Sequence, residues 1–184
     1  MSWTPVSRSR SGERKYRLHR LATGAVSVDA SVIVDFHLVG RLSLLDELFS
    51  QRLLISDFVE RELMEANIQL TAAQTVGLSS AEEWDFFGAV RSRRPGLGLG
   101  EVGGLTVSHF QNAIFVTNDR QARQAAEELD LAVHGGLGVL EYAAEAVRVS
   151  GLEAVTILEE MIQQGAWISA ELVELFRQRV FYSC

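Results

Sequence analysis

The run Ala25-Val26-Ser27-Val28-Asp29 constrains this chain more than any other stretch. Its apolar, β-branched residues end on an aspartate, and a helix-compatible segment, Ala30–Val39, follows at once. That pattern reads as a buried parallel strand delivering Asp29 to the carboxyl edge of a sheet. Ala113-Ile114-Phe115-Val116-Thr117 repeats it and ends on Asn118-Asp119. Open α/β sheets place their ligands at that edge, where the strand order reverses. A carboxylate buried there needs a partner, because an unpaired charge in a low-dielectric crevice is costly.

The other elements fit the same scheme. Leu42, Leu45, Leu48 and Phe49 predict an amphipathic helix after Gly40, and Gln51–Ser56 a short strand. Asp57–Glu65 predicts a helix with Ser56 or Asp57 as its N-cap. Residues 68–78 read as a linker or short helix entering an edge strand. Ser80-Ala81-Glu82-Glu83 matches a capping box and opens a helix through Arg93, which Pro95-Gly96-Leu97-Gly98-Leu99-Gly100 ends. A helix over Glu101–Gln111, a helix over Arg120–Leu129 and a strand over Leu131–His134 follow. The last helical patterns span 139–149, 153–164 and 169–180. Strand–helix alternation implies the α/β class: a parallel sheet flanked by helices, with a C-terminal helical annex.

Length and charge narrow the function. At 184 residues the chain suits one domain with a full core. One cysteine, Cys184, excludes a disulfide framework and points to a reducing compartment, so a cytoplasmic location is expected. No stretch approaches the roughly 18 apolar residues of a membrane span. Residues 1–20 hold Arg8, Arg10, Arg14, Lys15, Arg17 and Arg20 against Glu13. With 17 basic and 24 acidic residues in all, the remainder carries 11 against 23. Residues 1–24 are therefore read as a basic, flexible leader and residues 25–184 as an acidic domain. An acidic body suits a metal ion or a basic partner better than general nucleic-acid binding.

The acids converge on paper. Asp29 and Asp119 end strands that a doubly wound sheet can set side by side. Glu62 lies on the helix after the second strand, and Glu101 at a helix start that favours a carboxylate. Each also has an ordinary reading: Asp29 as a helix cap, Glu101 as a helix-start charge, and Glu60, Glu62 and Glu65 as a solvated face. Two like charges about 5 Å apart at an effective dielectric near 20 repel by roughly 3 kcal/mol. Four gathered carboxylates therefore raise one another's pKa values or hold a cation. Oxygen donors without a histidine cluster favour Mg²⁺ or Mn²⁺. His19, His37, His109 and His134 show no metal spacing. The glycine loop 96–100 lacks the Gly-x-x-x-x-Gly-Lys pattern, which argues for a hinge and against a nucleotide cradle. Trp84, Phe86 and Phe87 fit core positions, with base stacking the alternative. Arg91, Arg93 and Arg94 suit phosphate contact or a solvated helix end. An Asp-x-Asp phosphotransfer site is disfavoured by Ser31.

VDASVIVDF, VERELME, GLGEVGGL and FVTNDRQAR, in that order, resemble the four acidic motifs of PIN-domain nucleases. LAVHGGLGVL and QQGAWISAELVELF are similar to a bacterial and archaeal branch related to VapC-type toxins. The resemblance covers residues 25 to 180 and implies a PIN-like, Rossmannoid fold. It implies a Mg²⁺- or Mn²⁺-dependent endoribonuclease acting on RNA phosphodiesters, commonly a homodimer and often a toxin restrained by an antitoxin protein. Its catalytic acids fall on Asp29, Glu62, Glu101 and Asp119, with Asp29, Glu101 and Asp119 as metal ligands. Ser31, Thr117 and Asn118 match supporting positions, and Arg120 and Arg123 lie where they could guide a phosphate. The family commonly has another acid where this chain has Gly103, and a hydroxyl residue where it has Gly136. A PIN-like module that has lost catalysis and binds RNA or protein is the alternative.

Overall fold

The computed structural model describes residues 20–181; residues 1–19, which hold most of the basic leader, and Cys184 lie outside the described residues. The chain runs β1 (Val26–Val28), α1 (Ala30–Leu38), α2 (Leu42–Phe49), β2 (Leu53–Ser56), α3 (Asp57–Glu65), β3 (Gln74–Val76) and α4 (Ala81–Arg93). It continues with α5 (Leu99–Phe110), β4 (Ile114–Val116), α6 (Arg120–Glu128), β5 (Val133–His134), α7 (Gly136–Glu145), α8 (Gly151–Gln163) and α9 (Ala170–Phe181). The strands form a parallel sheet in the order β3-β2-β1-β4-β5. The order reverses between β1 and β4, where Val28 pairs with Val116.

Alternation along the strands divides the core between the two faces of the sheet. Ile114 and Val116 join one apolar layer with Phe36, Leu45, Leu140 and Ile157. Phe115, between them in sequence, faces the other layer with Val102, Leu105 and Ala126. The annex belongs to the first layer, because Val139, Ile157, Leu158 and Phe176 share it with the strands. In α4, Phe87 is buried and stacks on Phe58 at 5.0 Å, and Trp84 meets both rings edge-on. Arg94 is paired with Glu128. No helix among the described residues is long and apolar enough to cross a membrane.

α5 shows why glycines sit inside a helix. A Cβ at Gly104 would stand 2.6 Å from Phe115, and one at Gly103 2.7 Å from Ser56 Oγ and 2.8 Å from Phe58. Ser27 Oγ donates to Gly104 O at 3.3 Å. The two glycines lower helix propensity by about 1 kcal/mol each, and in exchange the helix backbone lies directly on the strands. Gly104→Ala is thus expected to lose about 1–3 kcal/mol in urea unfolding, although alanine is the better helix former. An unchanged midpoint would mean that this close approach is not needed.

Three boundaries differ from the sequence expectation, one through a local cap and two through tertiary contact. α5 starts at Leu99, because Gly98 is its N-cap and Glu101 Oε2 accepts from Gly98 N at 2.7 Å. Leu97 is buried, so the glycine loop is an anchored capping turn in place of the expected hinge. α7 starts at Gly136, three residues early, because Gly136 N donates to Asn118 Oδ1 at 2.8 Å. Residues 20–23 are helical, and Leu21 is fully buried in the core. Arg52 donates to the carbonyls of Leu21, Gly24 and Leu48, so the end of the leader is part of the packed body.

Candidate active site

Parallel pairing of β1 with β4 makes the two chains emerge together at the carboxyl edge. Asp29 N donates to Val116 O at 2.9 Å, and Asp29 is 3% exposed. Asp29 stands at the N-cap of α1, as the cap reading expects, but its side chain makes no cap hydrogen bond. It accepts instead from Ser31 Oγ at 2.5 Å and Thr117 Oγ1 at 3.1 Å. Thr117 Oγ1 also accepts from Asp119 N at 3.1 Å, so one hydroxyl links the first and last acids. Ser31 Oγ accepts from Asn118 N at 3.3 Å. Asp119 does cap its helix: Oδ1 accepts from Ala122 N at 2.7 Å, which commits one carboxylate oxygen and not the other.

The two glutamates come from the helices packed alongside. Glu62, an exposed residue of α3, lies over Gly100, where a Cβ would be 2.7 Å from Oε1. A side chain at position 100 would therefore displace this carboxylate. Glu101, in the first turn of α5, is fixed by its bond from Gly98 N. Burial pushes Glu101 up to about 7, and the charges of Asp29, Asp119 and Glu62 add to that against the Gly98 hydrogen bond. Burial, then the Asp29 charge, raises Glu62 as well. Burial also raises Asp29, opposed by its bonds from Ser31 and Thr117. Four acids far apart in sequence thus share one electrostatic neighbourhood.

The remaining residues form the frame. Asn118 Nδ2 donates to Asp35 Oδ2 at 2.6 Å while its Oδ1 accepts from Gly136 N, tying α1 to α7 across the crevice. Burial raises Asp35 above its ordinary value, and the Asn118 bond opposes that rise. Arg123 donates inward to Thr117 O at 3.1 Å, and its guanidinium occupies the space a Cβ at Gly135 would need. Arg123 is a strut of the wall; Arg120 is the exposed cation beside Asp119. Sequence reasoning missed Asp35, whose signal was its helical spacing from Ser31 on the same face of α1.

The chemistry of the four acids suits a hard divalent cation, since each offers carboxylate oxygen. Among the described residues no three acidic, histidine or cysteine side chains are grouped closely enough to hold a metal ion as they stand. Gly103 shows why the additional acid is missing: a side chain there would run into Ser56 and Phe58 instead of the crevice. At Gly136 a Cβ would lie 3.3 Å from Asn118 Nδ2, so the glycine seats the Asn118 amide closely.

The family model described as PIN domain (DUF3368) matches residues 25–181, the sheet and its helices included. The chain belongs to the PIN-domain family. No curated protein and no solved structure gives a significant match. PIN domains are in general nucleases that use divalent metals, and this PIN domain carries its acids at the β1/β4 switch point.

Proposed function

We propose that this PIN domain is a Mg²⁺- or Mn²⁺-dependent endoribonuclease that hydrolyses RNA phosphodiesters. The observation that supports it best is the Thr117 hydroxyl joining Asp29 to Asp119, with Glu62 and Glu101 near enough to Asp29 for its charge to help raise both glutamates. Asp29, Glu101 and Asp119 are the proposed ligands. A divalent ion held there would lower the pKa of an attacking water and offset the charge that develops on the phosphate.

The protein's own share is positional. Ser31 and Thr117 fix one oxygen of Asp29. Asp119 keeps its second oxygen for the crevice because the α6 cap uses the first. Glu62 retains solvent access and would orient the water on its way to phosphorus. Asn118, held from both sides, keeps the strand ends in register. As a VapC-type toxin, the protein would form a homodimer restrained by an antitoxin.

Incubation of purified protein with single-stranded RNA and Mn²⁺ tests the reading. Expected are internal cuts that stop with excess EDTA and return when Mn²⁺ is restored. Cutting that persists in EDTA would exclude this chemistry. RNA bound equally with and without chelator, and never cut, would favour a degenerate binding module.

A further inference from the structure

The cavity that reaches the acids extends well beyond them. Glu101, Asp119 and Arg120 line it, and so do Trp167, Ile168 and Leu172 from the turn before α9 and from α9 itself. Its volume is about 1240 Å³, above the roughly 300–1,000 Å³ that holds one small ligand. Trp167 is 89% exposed and makes no ring contact among the described residues. Trp84, by contrast, is covered on one side by Phe58 and Phe87. An indole left open to water on a cavity wall gives up burial that a ligand can restore. Of the arginines on the wall, Arg123 bonds to Thr117 O and Arg179 to Glu141, whereas Arg120 has no ion pair among the described residues.

Resting on the ribonuclease reading, we infer that this cavity is the track of single-stranded RNA, with one base stacked on Trp167 and a backbone phosphate at Arg120. A chain cut internally must continue on at least one side of the acids, and this cavity offers it a walled path. Sequence-tolerant capture of single strands pairs a cationic backbone contact with an aromatic platform, because every base has a π-face. A duplex keeps its bases stacked on each other and offers none to the indole. A lone nucleotide would leave most of the cavity unfilled. A peptide could cover Leu172 and Trp167 and pair with the acids, but it would not give the Trp167 response to single-stranded RNA tested below.

Steady-state cleavage of a 12-residue oligouridylate in Mn²⁺ is the first arm. Trp167→Ala should raise KM about 5- to 150-fold with kcat kept, and Trp167→Phe should retain most of the affinity. The residue is exposed, so an unchanged melting temperature shows that the variant is folded. An unchanged KM in Trp167→Ala, or an equal loss in Trp167→Phe, overturns the track. The second arm needs no catalysis: with Trp3→Phe and Trp84→Phe in place, Trp167 emission in EDTA should be quenched by the oligouridylate and not by a perfect RNA duplex. Quenching without any cleavage would sink the ribonuclease reading and support the track. Absent quenching, or a dimer that Trp167→Ala disperses, overturns it.

Discussion

Asp119→Asn is expected to cut single-stranded RNA in Mn²⁺ about 10²–10³-fold more slowly than the parent protein, and Asp29→Asn to do the same. The amide keeps the acceptor that Thr117 and Ser31 address at position 29, or that Ala122 N addresses at position 119. The charge is lost and the local geometry is not. That separation distinguishes an electrostatic role from a scaffolding one. Near-normal rates in both variants would place the chemistry elsewhere. In EDTA the Asp29→Asn protein should melt higher than the parent at pH 8, because a buried carboxylate whose charge opposes those of Glu62 and Glu101 has been neutralised.

The second large effect is on pH. Glu101 is raised from an ordinary 4.5 to about 7 in the folded, metal-free protein. Its folded form therefore holds the proton more tightly than its unfolded form. The stability this gives is fully present below pH 4.5 and is lost as the pH rises through about 7. Metal-free protein should become less stable across that window, and Glu101→Gln should flatten the profile. Gln keeps an acceptor for Gly98 N, so a raised melting temperature at pH 8 would report relief of repulsion. Binding of Mn²⁺ has to displace the same proton, so its apparent affinity should rise about tenfold per pH unit up to about 7 and then level. Calorimetric titration at pH 5.5, 6.5 and 7.5 reads this directly. An affinity flat over that range would remove Glu101 from the ligand set.

Much of the frame was legible in the chain. β1 and β4 could be read because both faces of a parallel strand are buried, which leaves an apolar run that stops on a polar residue. Asp29 and Asp119 came with them. Glu62 could not be separated from Glu60 and Glu65 by pattern. Only packing of α3 on α5 brings one of them over Gly100, while Glu60 turns to accept from Thr75. Gly103 looked like a lost ligand, and the structure gives it a packing task against Ser56 and Phe58. The place of Trp167 on the cavity wall was not legible for a different reason: it depends on which way the α8–α9 turn faces, and periodicity does not encode that. The early start of α7 is not legible in the sequence because glycine is a poor helix former, whereas the Asn118 bond fixes Gly136 at the helix start.

The Arg52 clasp bears on the cationic arm upstream of residue 20. Leu21 and Gly24, whose carbonyls Arg52 holds, sit before β1, and Arg52 itself sits before β2. Residue 20 thus enters the body at the amino pole of the sheet, and Asp29 and Asp119 lie at the carboxyl pole. A polyanion touching both Arg20 and the acids would have to run the length of the sheet.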